Sequence, residues 1–460
     1  MAKYEFPGSY ELHRFHLTNF DGSQKPVNIE RSVAQLSIFE DLQSNTLQGT
    51  IVLYDALDLV QTMPIIGEEK LHIHLVNAGN SNNPVENAVI NRIFRVYKIS
   101  DITREGNFKA QTYKLHFVSV EYFTDVNTSV CKSYKDRLIS EMVPLVYDGF
   151  IKNREDTKVL LTPEPTIGIQ HLVIPMMSPF SAMQFLANRA ESSNNPSSTY
   201  LFFETHIGFH FTTLEGMLSA KSKDTYVLTA ASVGSQLGDG DRQSLQNRII
   251  SNMEMVNVVD SLKNSFNGMY GNKITTHDLV TKNIEDANFS LEADWDLDDP
   301  IRMSHLNDYR LTSINSVNNT MKGAPFLVSS NSNRPSNEYV TGRETPRTWN
   351  TERFLGKQIS MFSQFNTTVI NVTVPGNTER IPGDIVELDL PAGANLQQLK
   401  TDKYLSGKYL VSRVHHKFNQ KNYTITLQLL KDSSPVEIDR TTKQFSTEIE
   451  GTMADIAAVR

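Results

Sequence analysis

Histidine pairs are the residues of this 460-residue chain whose type and spacing first suggest chemistry. His72 and His74 stand two apart in GEEKLHIHLV. Residues i and i+2 of a strand point the same way, so both imidazoles could face one metal ion. A site also needs one or two further ligands and groups that orient them. No partner stands nearby, and a polar outer strand face accounts for the pair. His415 and His416 are adjacent in SGKYLVSRVHHKFNQKNYTITLQLL. In a strand they point to opposite faces and cannot jointly chelate one ion. His416 is expected to share a face with Leu410, Val414 and Phe418. His415 is expected to share one with Arg413 and Lys417, whose charges should lower its pKa.

The run DWDLDDP carries Asp294, Asp296, Asp298 and Asp299. The first three have calcium-loop spacing, but the positions that need Gly and Glu hold Asp299 and His305. An acidic surface loop is the expectation. GDGDR (238–242) lacks the Gly-Lys-Ser/Thr ending and the following helix of a phosphate loop. Neither G-x-S-x-G nor H-E-x-x-H occurs. A carboxylate pair for glycoside hydrolysis could be drawn from many Asp and Glu residues, and spacing along the chain selects none. The single cysteine, Cys131, is expected on an apolar helical face, in the core rather than as a nucleophile. No catalytic, cofactor-binding or metal-ligating residue is assigned, no cofactor is expected, and the chain is expected not to be an enzyme.

The elements that carry these residues are mostly strands. GTIVLYD (49–55) reads as a strand, and ALDLVQTMP as a short helix stopped by Pro64. In GEEKLHIHLV, Leu71, Ile73 and Leu75 alternate with His72, His74 and Val76, the mark of a strand with one buried face. FRVYKISDI and AQTYKLHFVSV flank the turn TREGN and predict a hairpin. The character then changes. SVCKSYKDRLISEMVPLVYDG places Cys131, Tyr134, Leu138 and Met142 on one helical face, with Gly149 after its end. A second helix follows an N-cap at Ser178 and a first-turn Pro179. TYLFFETHIGFHFTTL predicts a hairpin turning at HIG. Strands are expected over 225–231 and 247–258, then a helix, a Gly-marked turn and a strand in VDSLKNSFNGMYGNKITTHDLV. The Asn/Ser/Pro-rich stretches NSVNNTMKGAP and SSNSNRPSNEYVTGRETP read as linkers or long loops. The helix TERFLGKQISMFSQF leads into a second β-rich block, 366–431.

The two β-rich blocks share an order of parts. Each has a strand, a turn with Gly and a carboxylate (Gly67-Glu68; Gly383-Asp384), an alternating strand, a polar insert and a long hairpin. Gly67 to Phe94 spans 27 positions (94 − 67) and Gly383 to Tyr409 spans 26 (409 − 383). The fold class expected is mainly β with α+β insertions: two similar small antiparallel β-barrels with α/β material between them.

Bulk properties exclude several classes. The net charge is −8, from 44 basic and 52 acidic residues, with no basic block to suggest sequence-specific nucleic-acid binding. One cysteine permits neither an intrachain disulfide nor a Cys-based metal cluster. The first residues lack the apolar core of a signal peptide, and no apolar run approaches the roughly 20 residues that span a bilayer. Folding in a reducing cytosol, without membrane insertion, is expected.

LSIFEDLQSNTLQGTIVLYDALDLVQTMPIIGEEKLHIHL resembles the N-terminal barrel of the baseplate hub proteins of T-even-like contractile-tailed bacteriophages. YKLHFVSVEYFTDVNTSVCKSYKD, VIPMMSPFSAMQFLANRAES, YLFFETHIGFHFTTLEGML and VPGNTERIPGDIVELDLP continue the similarity, in order, from about Val27 to Lys431. The stretch around 329–346 looks extended relative to that family, and a tail follows at 433–460. The resemblance implies a first tube-like barrel over 1–125 and an α/β domain over 126–222. Strands over 223–258 would complete the second barrel. A further α/β domain with the long loop spans 259–348, the second barrel 349–432 and the tail 433–460. It implies a homotrimer shaped like a torus, in which duplicated barrels offer quasi-six-fold symmetry to a tail tube or tube initiator and three-fold symmetry to a trimeric spike. Further implied partners are a tape-measure protein and the baseplate wedge, and the implied place is the virion baseplate after synthesis in the host bacterial cytoplasm. Two other readings stand: the hub of a phage-derived contractile injection or secretion system, and a virion-associated cell-wall hydrolase with converging carboxylates or a His/Asp metal cluster.

Overall fold

Period-two alternation shapes most of this chain. In the strand KLHIHLVN, Leu71, Ile73 and Leu75 are buried while His72 and His74 reach the outer face. One face thus meets a core and the other stays polar. His72 Nε2 lies 2.8 Å from Asn91 Oδ1, and the His74 ring stacks on His13 at 5.1 Å, as a polar outer face would have it. The structure, a computed structural model, describes residues 8–434 apart from 78–88, 229–245, 292–304, 307–323, 331–350, 392–400 and short breaks of a few residues or fewer. GDGDR, the four aspartates of DWDLDDP, most of 329–346 and the tail beyond 434 lie outside the described residues.

Among the described residues the chain opens with β1 (Tyr10–Thr18), β2 (Val27–Asn28), β3 (Val33–Asp41), β4 (Gln48–Asp55), β5 (Lys70–Asn77), β6 (Val89–Arg104) and β7 (Gln111–Ser119). The middle holds β8 (Val130–Arg137), β9 (Val159–Leu160), β10 (Thr166–Ile167), β11 (Gln170–Met177), β12 (Glu191–Ser192), β13 (Tyr200–Glu204) and β14 (Gly208–Thr213). Next come β15 (Asp224–Val227) and β16 (Asn252–Asn257), then β17 (Gly271–Asp278), β18 (Ile284–Ser290), β19 (His305–Leu306) and β20 (Ala324–Ser330). The end of the described chain is β21 (Thr368–Pro375), β22 (Ile385–Asp389), β23 (Gly407–Asn419), β24 (Tyr423–Lys431) and β25 (Ser433–Ser434).

One 13-stranded sheet carries both β-rich blocks, in the order β16-β21-β24-β23-β3-β4-β7-β6-β5-β1-β2, with β22 and β15 branching from β23. Two barrel-like halves therefore share one ladder, and by pairings among the described residues neither closes on itself. The join is β23. This 13-residue strand outruns β22, pairing with it over 407–410 and with β3 over 413–419. A single apolar core lines both halves, from Phe15 and Leu71 to Tyr409 and Leu429.

The duplication is a register-level fact. β5 lies against β6 as β22 lies against β23: Leu71 faces Phe94, and Val386 faces Tyr409. Val96 N donates to Glu69 O at 2.9 Å, and Val411 N to Asp384 O at 2.9 Å. Both pairs lie 27 positions apart (96 − 69 and 411 − 384). A register shift follows each, between Val96 and Lys98 and between Val411 and Arg413. The one-residue difference read from the sequence sits in the turn. Gly67 and Gly383 both have positive φ, 99° and 94°. The carboxylate that closes the first turn is Glu69, not Glu68. Glu69 accepts from Ile66 N at 2.6 Å, as Asp384 accepts from Ile381 N at 3.3 Å.

Other expectations are corrected. SVCKSYKDR is the strand β8, paired with β11, and the helix starts only at Ile139. Val130 and Tyr134 turn inward from β8, while Cys131 points out and is exposed. The helical spacing of Cys131, Tyr134 and Met142 bridged two elements. Gly149 lies inside a π turn, Tyr147–Ile151, that continues the helix. The strand expected over 247–258 is confined to β16. The register shift in β23 also turns Leu410 onto the face opposite Val414 and Phe418, into a separate cluster with Leu201 and Leu214. The Ser178 cap stands, with its side chain accepting from Ser181 N and Pro179 in the first turn. The hairpin β13–β14 is present and turns at Thr205–His206–Ile207, one residue before the expected HIG, with Gly208 already in β14.

Candidate functional site

β3 repeats an apolar inward face, Leu36 and Ile38, and then places Glu40 on it. A carboxylate in that row needs partners, because an isolated buried charge is strongly disfavoured. Two arrive from distant segments. His206, at the tip of the β13–β14 hairpin, brings Nδ1 to 2.9 Å from Glu40 Oε1. His416, inward-facing on β23, brings Nε2 to 3.3 Å from the same oxygen. All three side chains are buried. The Tyr423 hydroxyl on β24 lies 2.8 Å from His416 Nδ1. Burial alone would raise the Glu40 pKa. The charges and hydrogen bonds of His206 and His416 outweigh it and hold the carboxyl down at about 2. His415 points to the other face, stacks on Phe39 at 4.4 Å, and has its pKa lowered to about 4 by partial burial first, then by His416 and Lys417. The expected direction holds, with burial as the larger cause.

A second buried cluster lies one hairpin away. Lys158 Nζ contacts Glu204 Oε1 at 2.5 Å, Glu121 Oε2 at 2.7 Å and Asp156 Oδ2 at 3.4 Å. Burial disfavours the ammonium, but these three carboxylates raise its pKa and keep it charged. Glu204 Oε2 also accepts from Leu47 N at 2.8 Å, and Arg92 on β6 donates to the carbonyls of His206 and Ile207 at 2.7 and 2.9 Å. The β13–β14 hairpin is therefore clamped onto the first repeat from both sides. A third cluster holds the second repeat. Arg380 bridges Asp224 on β15 at 3.1 Å and Asp384 at 3.4 Å, while Lys223 reaches Asp384 at 2.6 Å and Arg248 reaches Asp224 at 3.0 Å.

These groups join chain segments. One surface cleft gathers two carboxylates, Glu68 and Glu155, but Glu155 is paired with Lys70 and Arg95, each at 2.8 Å. Sequence reasoning isolated His416 but missed Glu40, His206 and Lys158. Glu40 had a usable signal, a carboxylate at the third step of the row Leu36, Ile38, Glu40. His206 and Lys158 had none, because their meaning depends on contacts made far along the chain.

No model of a known protein family matches the chain. It is 22% identical over 436 residues to a probable baseplate hub protein, gp334, of Vibrio phage KVP40, covering 93% of this chain and 95% of that one. In fold it is similar to a tail protein from Neisseria meningitidis MC58, with a TM-score of 0.52, 11% identity, and 91% and 97% of the two chains covered. It is also similar to the 43 kDa tail protein of prophage MuSo2 from Shewanella oneidensis, with a TM-score of 0.50, 11% identity, and 93% and 100% covered. A likeness at that identity speaks to fold alone. In sequence along nearly its whole length the chain resembles the baseplate hub proteins of T-even-like phages, and in fold it resembles phage tail proteins.

Proposed function

We propose that this chain is a structural, non-enzymatic baseplate hub. Three copies close into a ring that meets a six-fold tail tube on one side and a three-fold spike on the other, with a channel for DNA between. The relative from Vibrio phage KVP40 supports the hub reading. The observation that carries the ring is the join between repeats. Inside one chain, the outer half of β23 pairs with β3. By register, the outer half of β6 is the counterpart of that half of β23, Lys98–Ser100 standing where Arg413–His415 stand. β16 is the counterpart of β3: Met253 faces Val372 as Leu36 faces Ile51. Among the described residues those two counterparts are open edges, and they expose Tyr97, Ile102, Met255 and Val256. An open edge is a template for another strand. Pairing β6 of one chain with β16 of the next repeats the internal join and closes a head-to-tail ring.

The sheet face turned away from the core carries Thr50, Thr112, Thr426 and Gln428. Two of its cations, Arg413 and Lys114, are paired with Asp41 at 2.6 Å and Asp101 at 3.0 Å. Cations neutralised in this way would hold less DNA phosphate, which suits a conduit. Spike, tube, tape-measure and wedge proteins are the partners this reading assigns. Native mass measurement tests it. A particle of three 51.9 kDa chains is expected, alone or with spike. A monomer at every concentration, with spike present, would contradict it.

A further inference from the structure

The Glu40 cluster has more binding capacity than its hydrogen bonds use. Glu40 Oε2 is a buried atom without a hydrogen-bond partner. In native proteins such atoms are rare and call for an explanation, an ion among them. The donor atoms of Glu40, His206 and His416 all lie within 4.8 Å of one another. Zinc bonds of about 2.0–2.2 Å at tetrahedral angles set neighbouring donors roughly 3.3 Å apart. The carboxylate-to-imidazole separations here are 2.9 and 3.3 Å. The Tyr423 hydroxyl occupies His416 Nδ1, which leaves Nε2 as the atom turned to the cluster. That is the outer-shell arrangement that fixes a ligating histidine. The rings of His206 and His416 stand nearly perpendicular, at 87° with centroids 6.2 Å apart, so their nitrogens converge instead of stacking.

We propose that Glu40, His206 and His416 form a buried structural site for a divalent first-row transition ion, zinc in the first instance. Two imidazoles and one carboxylate suit zinc, whereas magnesium and calcium call for all-oxygen sets. The three ligands come from the first repeat, the middle hairpin and the second repeat. The ion would therefore fasten all three at the point where β23 joins β3. The role is structural: the ligands sit within packed core, beside Ile38 and Val414.

The test uses the full chain produced in zinc-supplemented medium. Elemental analysis after gel filtration should find about one zinc per chain. That zinc should be absent from His206→Gln and His416→Gln and retained in His72→Gln, which alters only the outer-face histidine pair. Tyr423→Phe should lower zinc affinity by roughly 10-fold or more while leaving the ligands in place. Cobalt substitution of the unmutated chain is the independent check if the variants fold poorly. It should give the visible absorption of a low-coordinate nitrogen and oxygen site. A folded chain without stoichiometric zinc, zinc that persists in the folded His416→Gln variant, or a cobalt form with the spectrum of the free ion would each overturn the proposal. The cluster would then be a hydrogen-bonded triad only.

Discussion

The first repeat, β3 to β7 with β1 at its side, and the second, β16 with β21 to β24 and β15, share a ladder and differ in how they hold it. In the first, the turn carboxylate Glu69 is buried and bonds Ile66 N and Gly67 N. In the second, Asp384 bonds Ile381 N and also meets Arg380 and Lys223. The flanking strand explains the change. β1 runs antiparallel to β5, whereas β15 runs parallel to β22 and carries Asp224 into the turn. A second difference lies in the ladder itself. Gly49 faces Phe117 where Ile370 faces Leu429, so one repeat fills the shared volume from β7 and the other from both strands. The positive-φ glycine, the turn carboxylate and the shifted register after Val96 and Val411 define the unit. Side-chain chemistry follows the neighbour.

Breaking the charge clusters should give the largest effects. Lys158→Met leaves Glu121 and Glu204 buried beside each other and should cost about 3–5 kcal/mol in urea denaturation. Arg380→Met should cost less, about 2 kcal/mol, because Arg248 and Lys223 stay on the two aspartates. The reverse order would break the comparison. Gly49→Ala comes next. Its Cβ would lie 2.1 Å from the Phe117 ring and 2.5 Å from Ser37 O, a clash that should cost about 3 kcal/mol. Adding Phe117→Leu, the residue type of the second repeat, should recover part of the loss. No recovery would mean that the β3 backbone sets the need for glycine.

The open edges should respond differently. Ser100→Lys with Val256→Lys puts like charges on the two open edges, at the counterpart of His415 and beside that of Phe39. The double variant should weaken trimer formation at least tenfold, about 1.4 kcal/mol, in a dilution series. The melting point of the isolated chain should move little, since Val256 is exposed and Ser100 gives up one half-buried hydrogen bond to His116, about 1 kcal/mol. The smallest effect is a pH slope. Burial lowers the His210 pKa to about 4 from the ordinary histidine value. As pH falls from about 6.5 to about 4, the unfolded chain takes up a proton that the folded chain refuses, so stability declines. Below about 4 this contribution is flat. His210→Gln should remove that part of the slope in denaturation curves recorded across the window.

Alternation made much of this fold legible. KLHIHLV, IVELD and the long final hairpin announced their strands and their inward faces, and the Gly-plus-carboxylate turns announced the duplication. A spacing rule failed where two elements adjoined, as at Cys131, and where a register shift reversed the faces, as at Leu410. Neither has a local signature: the ladder partner decides both. The Glu40 cluster was half legible. Alternation put His416 on the apolar face and could have flagged Glu40, but His206 comes from a hairpin 166 positions from Glu40. The branching of β23 to β3 was likewise beyond reach, because it depends only on strand lengths and on which edge is left open.

A reconstruction of the assembled particle, viewed down its axis, tests the central claim that the two repeats are equivalent members of one ring. Six similar β units are expected at one radius, each one-sixth of a turn from the next, with β6 of each chain paired to β16 of its neighbour as β23 is paired to β3 within a chain. Three units on the ring with the second repeat displaced to another radius, or β6 and β16 edges left apart, would contradict it.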